Sequence, residues 1–226
     1  MKYRRVIVFG CSWTRYYWPT FANVISDMLN IPLINKGRRG IGNIAILHKM
    51  LDFDIDIGFN DDDLILVNWS SWGREDRIGE DSKWKAGGNV IDSKFYGPAF
   101  AKQYQSAEND FIRNAGAIIM ANRMFNITYQ SSMNDINEEH LALFGMLTQR
   151  HSEHITEYSK WIKNMPSEIE LFHLIKPRNT DWHLILNDGH PSVYEHLLHA
   201  QKIAKHIGFE DIKSVSDLYN ELYHKI

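Results

Sequence analysis

VIVFGCSWT, residues 6–14, decides how this chain is read. Val6-Ile7-Val8-Phe9 is an apolar, β-branched run that reads as a short buried strand over residues 4–9. It stops at Gly10, and one cysteine and one serine follow. The question is why a buried strand so near the start should end on Gly-Cys-Ser.

Working outward, Trp18-Pro19 marks a boundary, and Pro19 suits a first helical turn. Phe21, Val24, Ile25, Met28 and Leu29 recur at helical spacing. IPLIN (31–35) reads as a second strand, KGRRGIGN (36–43) as a glycine-rich turn, and NIAILHKML (43–51) as a helix with Asn43 as its cap. LILVNWSS (64–71) is a third strand ending in small polar residues. Strand, loop and helix thus alternate, which predicts a parallel sheet covered by helices. Residues 73–101 have no clean period and read as a long loop. Residues 103–125 look helical, NITYQSSM (126–133) reads as a strand, and 136–164 as a helical insertion. IELFHLI (169–175) reads as a strand, and a proline-bearing turn then leads into an amphipathic helix beyond residue 190. One domain spanning 1–226 is expected, with its excursion at 73–101 and its insertion at 136–164.

The bulk numbers narrow the function classes. A net charge of −3 gives no reason to expect a nucleic-acid partner. Cys11 is the only cysteine, so no disulfide forms within the chain. Residues 1–30 lack the pattern of a signal peptide, and no apolar run approaches the roughly 18 residues of a membrane span. The expectation is a cytoplasmic protein with no membrane partner, no metal and no cofactor.

Sites in open parallel sheets lie beyond the carboxyl ends of the strands. Gly10-Cys11-Ser12, then Gly37, Gly40 and Asn43, then Ser70, Ser71 and Arg74 each follow a strand, and Asp188 and His190 precede the last helix. Four segments are therefore expected to converge on one edge. The residue types suit acyl chemistry. A serine hydroxyl becomes nucleophilic when a neighbouring base takes its proton. His190 is the candidate base, a carboxylate such as Asp188 would hold its tautomer, and backbone N–H groups of Ser12 and Gly40 would hold an oxyanion. Asn43 and Ser71 are the side-chain candidates for the same task.

These blocks resemble the SGNH (GDSL-like) hydrolases. FGCSWT matches their first block, with Ser12 in the nucleophile position; NKGRRGIGN resembles the second, with Gly40 as the oxyanion glycine; DGHPSVYEHLLHAQKI resembles the last, with His190 as the base. The resemblance implies a three-layer, flavodoxin-like α/β sandwich with a central parallel sheet. It also implies a serine esterase that removes an acyl group, an acetyl by preference, from a glycan or other small ester. The variant GCSWT…GIGN…DGHPS resembles SGNH-like proteins of bacteriophages, which implies a viral source, a viral protein partner and association with the virion. Three positions depart from the pattern. Cys11 stands where an aspartate is usual, the third block has Ser70-Ser71-Trp72-Gly73-Arg74 in place of its asparagine (Asn68 precedes the strand end), and Asn187 stands three residues before His190 while Asp188 is two before it. Two rivals stay open on these residues: a catalytically silent binding or structural protein, and a sugar O-acyltransferase using the same serine.

Other features have plainer readings. Cys11 reads as a small buried hydrophobe. The glycine loop lacks the lysine and Ser/Thr ending of a nucleotide-binding loop. His151 and His154 lie three apart without a third ligand in view and read as a solvated face, and His196, His199 and His206 as decoration on the last helix. Arg38 and Arg39 are either solvated or meet an anionic or sugar substrate. Trp72, Trp84, Arg74 and Arg39 are the substrate-binding candidates, with Trp69 and Tyr96 as further aromatic wall or core.

Overall fold

A computed structural model describes residues 2–90, 96–104, 107–133, 190–209 and 217. Within them the order is β1 (Arg5–Gly10), α1 (Phe21–Leu29), β2 (Leu33–Asn35), α2 (Asn43–Asp56), β3 (Asp63–Trp69), β4 (Arg74–Ile78), β5 (Trp84–Asn89), α3 (Pro98–Tyr104), α4 (Ala107–Met124), β6 (Tyr129–Ser132) and α5 (Val193–His206). Four strands form one parallel sheet in the order β2-β1-β3-β6. Among the described residues no helix is long and apolar enough to cross a membrane.

The central strands β1 and β3 are buried on both faces, and their alternate side chains sort into two cores. Val6, Val8, Leu64 and Leu66 pack with Phe21, Val24 and Ile25 of α1 and Leu197, Ala200 and Ile203 of α5. Ile7, Phe9, Ile65 and Val67 pack with Ile46, Met50 and Phe53 of α2 and Ile118 and Ala121 of α4. This is the expected three-layer α/β architecture, with helices on each side of a parallel sheet.

One ion pair locks the amino-terminal edge. Arg5 and Asp63 face each other in the β1–β3 register. Arg5 Nε and Nη2 donate to the two Asp63 carboxylate oxygens at 2.7 and 2.8 Å. Burial would raise the Asp63 pKa, but the Arg5 bonds and the Asn60 amide outweigh it and hold it below the usual carboxylate value.

Two expectations change here. Residues 73–101 are not one long loop: β4 and β5 pair as an antiparallel hairpin and α3 follows. Their mixed charge hides the strands, because β4 buries the charged Glu75 and Asp76 and the hairpin has no apolar alternation to display. The cap of α2 is Gly42, not Asn43. The helical insertion at 136–164, the strand at 169–175, His151, His154, Asn187 and Asp188 lie outside the described residues.

Candidate active site

The carboxyl edge of the sheet is built around the end of β1. Gly10 has no room for a side chain: an added Cβ would lie 2.8 Å from the Asn68 carbonyl and would also meet Thr14. The backbone therefore passes close to β3 before turning through Cys11-Ser12-Trp13. Thr14 N–H and its hydroxyl both donate to the Cys11 carbonyl, at 3.2 and 2.7 Å, closing the turn. Thr20 and Asn35 side chains then donate to the Thr14 carbonyl, at 2.8 and 2.6 Å. Cys11 is fully buried beside Asn68 and Met133, as a small hydrophobe.

Ser12 is 3% exposed, and its hydroxyl and amide make no hydrogen bond among the described residues. The glycine loop is drawn to it, since Arg38 N–H donates to the Gly10 carbonyl at 3.0 Å. Gly40 adopts φ +72°, a conformation that favours glycine. Its carbonyl accepts from Gly88 of β5 at 3.2 Å, while its own N–H has no acceptor among the described residues.

His190 reaches this edge from the far end of the chain. Ser192 and Glu195 form a capping box that starts α5, with the Ser192 N–H donating to Glu195 at 2.6 Å and the Glu195 N–H to Ser192 at 3.2 Å. Trp18 Nε1 donates to the Pro191 carbonyl at 2.9 Å, tying this segment to the loop after β1. The His190 ring stacks on Tyr16, four residues beyond Ser12, with centroids 4.0 Å apart and planes 16° apart. The predicted Ser12, Gly40 and His190 segments thus share one edge.

Other predicted site residues have different work. Asn43 Nδ2 donates to the Ser70 carbonyl at 3.1 Å and to Asn114 Oδ1 at 2.7 Å, and its Oδ1 accepts from Ser70 N–H at 2.6 Å. Both amide hydrogens are spent, so Asn43 clamps α2 to β3 and α4 instead of offering a donor to an oxyanion. Trp72 is 5% exposed and belongs to the interior, not to a cleft. Arg74 Nη1 donates to Ser70 Oγ at 2.7 Å and to the Ile41 carbonyl at 3.3 Å, bracing the two loops. Trp84 is half-buried against His48 at 5.0 Å. Ser71 is half-buried just beyond β3, and its carbonyl accepts from Arg74 N–H at 3.2 Å. Asn68 is buried and donates to Ser131 at 3.3 Å. Arg39 is exposed at the mouth of a cleft of about 360 Å³ that also involves Arg15, Tyr16, Tyr17, Gly37 and Arg38. Arg15, Tyr16 and Tyr17 were not singled out from the sequence, although they directly follow the Ser12 turn.

Two buried ionisable groups flank the site. Asp76 of β4 is 8% exposed and accepts from the Gly42 N–H at 2.7 Å, serving as a borrowed cap for α2. Burial pushes its pKa up from 3.8 to about 6, against the lowering pull of the Gly42 and Ala45 amides, Arg74 and Arg38. His196 and His199 are each 3% exposed, so they are core residues and not decoration. Burial first, then His199 and His190, lowers the His196 pKa from 6.5 to about 3.

The signs are opposite. Asp76 binds its proton more tightly when folded, so its contribution favours the fold at low pH and is lost as pH rises through about 6. His196 binds its proton more weakly when folded, so its contribution is lost as pH falls below 6.5. Each slope is about 1.4 kcal/mol per pH unit, and between about pH 4 and 6 they offset. Urea denaturation across that window should show Asp76→Asn losing stability, relative to wild type, as pH falls. His196→Leu should gain stability over the same range, and parallel profiles would contradict both assignments.

No protein-family profile matches this chain, and no curated protein does. Among solved structures it is similar to a member of the lipolytic protein G-D-S-L family from Veillonella parvula DSM 2008, at 13% identity over 89% of this chain and 97% of that one, with a TM-score of 0.49. A GDSL-like lipase from Bacteroides thetaiotaomicron VPI-5482 is 16% identical over 89% of this chain and 88% of that one, TM-score 0.39. AlinE4, an SGNH-hydrolase family esterase, is 14% identical over 92% and 96%, TM-score 0.32. With sequences this divergent, the chemistry has to be argued from the residues present here.

Proposed function

We propose that this chain is a serine esterase that removes an acyl group, an acetyl by preference, from a glycan or other small ester. One observation supports it most: His190, held by the start of α5, stacks on the loop that carries Ser12, whose hydroxyl makes no hydrogen bond among the described residues. Ser12 Oγ attacks the ester carbonyl while His190 takes its proton. The Ser12 and Gly40 amides hold the tetrahedral oxyanion. Collapse expels the alcohol, which receives the proton from His190. Water, deprotonated by the same ring, then attacks the acyl-serine, and the acid and free Ser12 are released. Asp188 is the proposed orienter of His190.

A silent binding protein, such as a phage virion component, is the second reading. Asn43 favours it, because its amide hydrogens are already spent and β3 is followed by serines where a donor asparagine is usual. Fluorophosphonate labelling separates the two. Wild type should label, and neither Ser12→Ala nor His190→Ala should. A folded wild type that stays unlabelled would favour the silent protein.

A further inference from the structure

The cleft formed by the residues that follow the Ser12 turn and by the glycine loop is basic in a chain whose net charge is −3. Arg15 follows the β1 turn, and Arg38 and Arg39 come from the glycine loop; among the described residues the cleft they form has no acidic lining residue. Among the described residues none of the three has a carboxylate partner. Their positive field is felt nearby: the Lys49 pKa is lowered by burial first and then by Arg38, Lys36 and Arg15, with Asp52 opposing.

Two of these guanidiniums are held in place. Arg39 lies over Tyr17 at 4.1 Å and over Tyr16 at 4.7 Å, and it donates to the Tyr16 hydroxyl at 3.5 Å. Arg38 donates one N–H to the Trp84 carbonyl at 3.0 Å. Stacking uses the face of a guanidinium and leaves most of its N–H fork for an oxyanion. Fixing the groups beforehand also cuts the ordering cost of binding. Tyr16 joins this cleft to the chemistry, since Arg39 and His190 both contact its ring. Tyr17, 73% exposed, gives a sugar ring an apolar face.

We propose that the Arg15–Arg38–Arg39 cleft binds a carboxylate or phosphate on the alcohol half of the ester, so that the substrate is an acylated anionic sugar. This rests on the serine-esterase reading for the acyl half only. The test uses three probes: an acetylated methyl glucoside, the matching glucuronoside and the matching sugar phosphate. Calorimetry on the full-length Ser12→Ala protein measures binding without turnover. At low salt at least one charged ester should bind about tenfold tighter than the neutral one, and the advantage should shrink as salt rises. The tighter of the two charged esters identifies the anion. The advantage should vanish in Ser12→Ala carrying Arg15→Gln, Arg38→Gln and Arg39→Gln. Equal affinity for charged and neutral esters would overturn the proposal, and so would an advantage that survives loss of the three arginines. The two readings fail separately. Charged esters that bind but are not cleaved by wild type would leave the anion site and remove the esterase. Equal cleavage and equal binding of all three would do the reverse.

Discussion

Ser12→Ala should lower kcat/KM for acetyl-ester hydrolysis by about four orders of magnitude or more, while the unfolding midpoint stays close to wild type. The hydroxyl makes no hydrogen bond among the described residues, so truncating it leaves no partner stranded. What is lost is the atom that attacks. His190→Phe should lose a comparable factor, because nucleophile and base act as one unit, and the double variant should be little worse than either single one. Phenylalanine keeps a flat ring against Tyr16, where the native ring stacks at 4.0 Å. A stability loss well beyond about 1 kcal/mol would therefore mean that His190 does structural work the stacking does not capture. Steady-state kinetics and urea denaturation of the three variants decide the matter. A Ser12→Ala protein with near-wild-type turnover would end the serine mechanism.

Asn43→Ala should behave in the opposite way, losing roughly 3–5 kcal/mol of stability and activity with it. Asn43 is 1% exposed and makes three hydrogen bonds. Alanine would leave the Ser70 N–H, the Ser70 carbonyl and Asn114 Oδ1 buried without those partners, each at a cost of about 1–3 kcal/mol before relaxation. Asn114 has other anchors, donating to the Trp72 carbonyl at 3.0 Å and to the Asp110 carbonyl. Asn114→Ala should therefore be destabilising too, and a double-mutant cycle should show strong coupling between the two positions. Additive losses would mean that the Asn43–Asn114 bond contributes little. If Asn43 instead donated to an oxyanion, its variants would lose turnover at nearly unchanged stability, so the pairing of the two readouts separates clamp from donor.

The amino-acid sequence by itself determined the layered core. Val6 to Phe9 and Leu64 to Val67 are apolar at every position, and Phe21, Val24, Ile25 and Leu29 repeat at helical spacing. Such periodicity is local, and burial follows it directly: the strands divide their side chains between the two cores and α1 turns its stripe inward. The stop of β1 at Gly10 was legible for the same reason.

Tertiary structure alone decided the fate of the polar residues. Asn43 looks like a cap or a donor until Ser70 and Asn114, 27 and 71 residues away, claim its amide. Asp76 sits in a charged, aperiodic stretch, and only the folding of β4 onto α2 makes it the cap of a helix 34 residues earlier. His196 and His199 share the buried face of α5 with Leu197, Ala200 and Ile203, yet an imidazole carries no apolar signature that would announce its burial. Arg15, Arg38 and Arg39 read singly as solvated charges, and they form one basic cleft only because β1 and β2 are neighbours in the sheet. An apolar side chain is directed by its own aversion to water, whereas a polar one is directed by whichever partner the fold brings to it.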